Sequence, residues 1–149
     1  MKTKKYILMG IGNQLRGDDG IGNFIAKNFQ DPEWLSLDCE MVPENFTSLV
    51  KKAKPELLVL LDGVEMDLPP GEIRIIDPDK IQLMHLTTHY MPLSFLISYL
   101  EKFTKEVIFL GIQPKTIDYS PSLSPEVLKS SQKIMRVLKN REFHSIKKL

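Results

Sequence analysis

Four side chains with ionisable or metal-ligating groups stand where an alternating α/β chain can present chemistry. They are Asp18 and Asp19 in Gly17-Asp18-Asp19-Gly20, Asp62 directly before Gly63, and His89 in Thr87-Thr88-His89-Tyr90-Met91-Pro92. A carboxylate pair with one imidazole suits a borderline divalent ion such as nickel, zinc or manganese, and leaves positions open for a substrate or water. With no thiolate among them, such ligands hold their ion loosely. Each residue also has a plainer reading. Asp18 or Asp19 can cap a helix, Asp62 can serve a turn, and Thr or His before Pro92 can start a helix. The same caution covers His85, while His144 falls in a polar C-terminal stretch. The set gains weight from position, because the Asp18-Asp19 turn, Asp62 and His89 each fall just past a strand end or at a helix start on one rim.

Other catalytic schemes find little support. Five of the eight glycines, Gly10, Gly12, Gly17, Gly20 and Gly22, crowd one turn, which invites a dinucleotide-binding reading. Leu15 occupies the third glycine position of that pattern, and Asp18 with Asp19 places two carboxylates where a pyrophosphate would rest. The sequence holds no Gly-x-Ser-x-Gly elbow and no His-Glu-x-x-His, and the single cysteine, Cys39, has no histidine beside it.

The elements that must position these residues are legible from periodicity. Strands are expected over 5–11, 37–42 and 57–62, with a short one over 72–76 as a candidate antiparallel partner at the sheet edge, and a last one over 106–112. Helices are expected over 20–28, 46–54, from Pro92 to about Phe103, and from beyond Pro121–Pro125 through Asn140. The uninterrupted Leu57-Leu58-Val59-Leu60-Leu61 is what a strand covered on both faces by helices looks like. Strands alternating with helices imply an α/β fold with a largely parallel, doubly wound sheet, whose ligand crevice lies beyond the strands' C-terminal ends.

Bulk properties narrow the partners. A chain of 149 residues, 42% hydrophobic, is read as one domain over 1–149, with 141–149 a polar tail. Twenty basic against nineteen acidic side chains leave a net charge of +1, which offers no electrostatic attraction for nucleic acid or an anionic membrane. One cysteine excludes an internal disulfide and fits a reducing compartment. The N-terminal apolar run passes directly into Arg16-Gly17-Asp18-Asp19 and reads as a first strand, not a signal peptide, and no apolar stretch approaches the roughly 20 residues of a membrane span. A cytoplasmic protein is expected.

Gly10-Ile11-Gly12-Asn13 with Gly17-Asp18-Asp19-Gly20-Ile21-Gly22, Pro43-Glu44-Asn45, Asp62-Gly63-Val64, Leu86-Thr87-Thr88-His89 with Met91-Pro92, and Phe109-Leu110-Gly111-Ile112-Gln113-Pro114 together resemble the hydrogenase maturation endopeptidases. The threonine-histidine and Gly-Ile-Gln-Pro blocks look most like the branch serving formate hydrogenlyase-type hydrogenases. The resemblance implies a three-layer sandwich with a five-stranded sheet, and nickel contacted by Asp19, Asp62 and His89. It also implies an activity: removal of the C-terminal extension of a nickel-iron hydrogenase large-subunit precursor, with nickel already in the precursor as the recognition signal and no nucleotide cofactor. The chain departs from many relatives after the second strand, where Asp38-Cys39-Glu40-Met41-Val42 replaces a Gly-Thr pair on the cleft wall. Two rivals use the same residues differently: a nickel-sensing chaperone that binds the precursor without cutting it, and a nucleotide-binding α/β module.

Overall fold

The computed structural model describes residues 4–149, so residues 1–3 of the expected domain and N-terminal segment lie outside the described part. Five strands form one sheet: β1 (Tyr6–Gly10), β2 (Trp34–Asp38), β3 (Leu57–Gly63), β4 (Ile73–Ile75) and β5 (Val107–Ile112). Their spatial order is β2-β1-β3-β5-β4, with every pairing parallel except β4 on β5. The expected antiparallel edge strand is thus present. From β1 the chain first moves outward to β2 and then returns to place β3 on the other side. A topological switch point between β1 and β3 results, which is where open α/β sheets form their crevice.

The α-helices are α1 (Ile21–Asn28), α2 (Thr47–Ala53), α3 (Pro78–Leu83), α4 (Leu93–Leu100) and α5 (Pro125–Asn140). Strand alternation sorts the core into two layers. Leu8, Val59 and Leu61 meet Ile21 and Ile25 of α1 and Ile134 of α5 on one face. Ile7, Met9, Leu58 and Leu60 meet Val50 of α2, Ile81 of α3 and Leu96 and Leu100 of α4 on the other. Burial on both faces accounts for the continuous apolar run of β3, which supports the expected α/β sandwich.

The glycine turn serves a close approach of backbones. A Cβ on Gly22 would lie 2.6 Å from the Leu61 carbonyl oxygen, and one on Gly10 would lie 2.8 Å from the Ala26 Cβ. Helix α1 therefore packs almost backbone to backbone on β1 and β3, as only glycine permits.

Three expectations shift. The second strand runs Trp34–Asp38, not 37–42. Its apolar continuation is broken because Glu40 takes a left-handed conformation at φ 51°, while Cys39 N–H still donates to Gly10 O at 2.8 Å. Helix α3, which begins at Pro78, was not foreseen. Residues 141–149 do not form a loose polar tail: Phe143–Ser145 make a 3-10 turn, Ile146 is buried, and Ile75 N–H donates to Lys147 O while Leu149 N–H donates to Ile75 O. Two apolar side chains spaced among lysines were enough to fasten this segment along the outer edge of β4.

Two measurements check this packing. Gly22→Ala should lower the melting temperature by about 10 °C, since rigid backbone on both sides leaves the methyl no space and overpacking of this kind costs about 3 kcal/mol. Cys39 is fully buried, and burial followed by the nearby Asp38 and Glu44 charges pushes its thiol far above the usual range. It should resist a disulfide exchange reagent at pH 8 until denaturant is added.

Candidate functional site

Strand β3 runs past its neighbour. Leu61 pairs with Gly10, the last residue of β1, so Asp62 and Gly63 project beyond the β1 end while still pairing with Gly111 and Ile112 of β5. By alternation Asp62 shares a side with Leu58 and Leu60, the layer covered by α2 and α4. Asp19 reaches the same place from above the opposite layer, in the 3-10 turn Gly17–Gly20 that leads into α1. His89 arrives on a loop before α4, at the tip of a hairpin-like turn in which Leu93 N–H donates to Leu86 O and Thr88 N–H to Met91 O.

These three elements enclose a cavity of about 220 Å³, lined by Ile11, Gly12, Asp19, Met41, Asp62, Thr87, Thr88 and His89. All three residues singled out as metal-ligand candidates therefore face one space, whereas His85 and His144 are exposed and line no part of it. Among the described residues no three such side chains stand close enough to form a ready-made metal site. The cavity is an open cup with these side chains on its wall, not a closed chelate.

The neighbouring carboxylates Asp18 and Asp19 have separate tasks, and neither caps a helix through its side chain. Asp18 is fully buried. It accepts from Ser124 N–H and the Ser124 hydroxyl, both at 2.7 Å, from Lys115 N–H at 2.8 Å and from Thr116 N–H at 3.3 Å. Ser124 is itself the N-cap of α5. Asp18 thus ties the first turn to the loop 115–124, and this tie lay beyond the reach of sequence reading because its partners are about a hundred residues away. Among the described residues the Asp19 carboxylate accepts one hydrogen bond, from Asn13 N–H at 3.1 Å, and its side chain lines the cavity.

The electrostatics are those of an unneutralised acidic pair. Burial holds the Asp62 carboxyl well above the usual carboxylate range, and the Asp19 charge raises it further, against one hydrogen bond from Gly63. Asp19 is raised as well, chiefly by burial, with opposing contributions from the Asn13 N–H and the Arg16 charge. Two acids that each disfavour ionisation, one of them because of the other, favour a cation or a proton between them.

The glycine turn does not cradle a pyrophosphate. Gly17 N–H donates to Ser120 O at 2.7 Å, Asp18 N–H to Thr116 O at 2.8 Å, and Asp19 N–H to Arg16 O at 3.0 Å. The amides that would hold a phosphate are already engaged, which corrects the nucleotide-binding alternative.

Sequence reading passed over Glu44 and Thr88 as site residues. The Thr88 hydroxyl donates to Glu44 Oε1 and accepts from Tyr90 N–H and Met91 N–H, both at 3.1 Å. His89 N–H donates to Met41 O at 3.1 Å. The segment following β2 therefore grips the histidine turn at two points.

Comparisons with known proteins agree with this architecture. The family profile described as hydrogenase maturation protease matches residues 21–140. The hydrogenase 3 maturation protease of Escherichia coli K12 is 41% identical over 124 residues, covering 80% of this chain and 80% of that protein. A crystal structure of a hydrogenase 3 maturation protease superposes with a TM-score of 0.91 at 34% identity, covering 98% of this chain and 97% of the other. The [NiFe] hydrogenase maturation protease HycI from Thermococcus kodakarensis superposes with a TM-score of 0.80 at 28% identity, covering 93% and 92%. With its cup of two carboxylates and an imidazole at the sheet's switch point, this chain belongs to the hydrogenase maturation protease family.

Proposed function

We propose that this protein is a cytoplasmic endopeptidase that removes the C-terminal extension from the large-subunit precursor of a nickel-iron hydrogenase once nickel has been inserted. The observation that carries the reading is the convergence of Asp19, Asp62 and His89 on one cavity whose carboxylates repel each other. The relatives support the class of reaction, since they are named maturation proteases and one is named for a [NiFe] hydrogenase. Nickel enters this scheme as part of the substrate, already held by the precursor.

In this reading Asp19, Asp62 and His89 complete the coordination of the precursor's nickel. The ion neutralises the carboxylate pair, and its arrival fixes the adjacent chain against the cleft, so recognition becomes positioning. Peptide hydrolysis then needs a water deprotonated toward the scissile carbonyl and a proton returned to the leaving nitrogen. The ion can polarise that carbonyl or activate the water through the same ligands; in the alternative arrangement Asp19 or Asp62 takes the water's proton as general base. The chain takes part without a nucleotide, nucleic acid or membrane insertion. Among the described residues no helix is long and apolar enough to cross a membrane.

Incubation with nickel-loaded and nickel-free precursor, followed by mass spectrometry, tests the reading. The loaded precursor should lose its C-terminal extension and the nickel-free form should keep it. Retention of the extension in both, while a known active relative cuts the loaded form, would sink the enzyme assignment. His89→Ala should abolish cleavage with the melting temperature nearly unchanged, because the side chain is exposed.

The acidic pair makes a separate prediction about the free protein. The folded-state affinity of Asp62 for a proton is raised above its ordinary value of 3.8. The folded chain therefore holds more protons than the unfolded one in that window, and stability falls as pH rises through it. Asp62→Asn should raise the melting temperature at pH 8 by about 3 °C while abolishing processing. A lower melting temperature would assign Asp62 a structural task instead.

A further inference from the structure

Glu44 is a carboxylate with no part in the scheme above, yet it stands in the second layer behind the cavity. It lies in the 3-10 turn Pro43–Phe46, whose first residue is buried. One of its oxygens takes the Thr88 proton. The other, Oε2, is buried with no hydrogen-bond partner among the described residues. A buried acceptor left without a donor costs stability, so stability alone does not explain a glutamate here.

The valences of Thr88 show what the contact does. A hydroxyl offers one proton and two lone pairs. Both acceptor positions are engaged by Tyr90 N–H and Met91 N–H, so the single proton must leave toward an acceptor, and among the described residues that acceptor is Glu44. An ionised carboxylate makes that bond stronger than a neutral acceptor would. The turn is then fixed on both sides of His89: the Thr88 hydroxyl holds the amides that follow, and Met41 O holds the His89 amide itself. Met41 and Glu44 belong to one short segment, so the backbone clamp and the side-chain clamp act from a common base. His89 has little else to order it, since its imidazole is exposed and touches Tyr90 ring edge to face at 4.7 Å between centroids.

We propose that Glu44 is a positioning residue for His89: through the Thr88 hydroxyl it holds the Thr88–Met91 turn so that the imidazole stands on the cavity wall. The inference rests on the reading of His89 as a nickel-contacting residue. It extends the machinery of that site to a carboxylate that touches neither substrate nor ion, and it gives the Pro43-Glu44-Asn45 block a purpose. Loss of such an outer partner typically costs 10- to 100-fold in metal affinity or activity.

Glu44→Ala, Glu44→Gln, Thr88→Val and the double variant Glu44→Ala/Thr88→Val should be compared with the unaltered protein by two independent readouts. The first is cleavage of nickel-loaded precursor. Glu44→Ala is expected to lower kcat/KM about 30-fold, Glu44→Gln to recover most of it because its amide oxygen still accepts the Thr88 proton, and the double variant to be no worse than Thr88→Val alone. The second is amide hydrogen exchange in the free protein, where Glu44→Ala should accelerate Tyr90 and Met91 about tenfold and leave the core strands protected. Cleavage by Glu44→Ala at the unaltered rate, losses that multiply in the double variant, or unchanged exchange at Tyr90 and Met91 would each overturn the proposal. Accelerated exchange throughout the strands would reduce Glu44 to a residue of general stability and overturn it equally. If the unaltered protein itself fails to cut the loaded precursor, the proteolytic reading falls, and the exchange result alone decides whether Glu44 orders the histidine turn.

Discussion

The fully buried carboxylate of Asp18 is the interaction on which the site's construction depends. A charge out of reach of water is tolerable only when its oxygens are filled with donors, and here the Ser124 amide and hydroxyl and the Lys115 and Thr116 amides fill them. That requirement draws the first strand-to-helix turn, the loop after β5 and the N-terminus of α5 into one body. With Asp18 turned inward, the next residue in the same tight turn faces the other way. Asp19 is presented to the crevice by the satisfaction of its neighbour.

A second constraint acts through backbone proximity. The absence of side chains at Gly10 and Gly22 lets α1 settle against β1 and β3 closely enough to bring the turn over the end of β3. Asp62, at the projecting end of that strand, then lies near Asp19 with too little water to screen them, and both carboxyls are driven toward protonation. Acids placed in this way favour a proton or a cation in the cup.

The histidine side of the cup is built on another principle. Asp19 and Asp62 stand on the sheet and its first turn, whereas His89 stands on a loop tip, and a loop tip needs ties of its own. Those ties come from the segment after β2, where Met41 O accepts from the His89 amide and Glu44 from the Thr88 hydroxyl. The cleft wall formed by Met41 and the clamp formed by Glu44 are thus parts of one short stretch, which links the shape of the opening to the placement of the imidazole.

The amino-acid sequence by itself determined the α/β class, the parallel core strands, the antiparallel edge strand and a rim that carries the Asp18-Asp19 pair, Asp62 and His89. Each follows from a local rule: apolar runs covered on both faces, glycines crowded at one turn, and polar residues placed at strand ends. The folding back of residues 141–149 escaped that reading because Ile146 and Leu149 acquire meaning only beside the edge of β4. The end of β2 escaped it because an apolar pattern does not reveal the left-handed residue that breaks the strand. Only the tertiary structure separated Asp18 from Asp19, which are adjacent and chemically identical, and only it joined Glu44 to Thr88 across forty-four positions. Hydrogen-bond satisfaction is a property of three-dimensional neighbours: spacing along a chain can bring acids to a rim, but the donors that reach each oxygen decide which acid is structural and which remains free to bind.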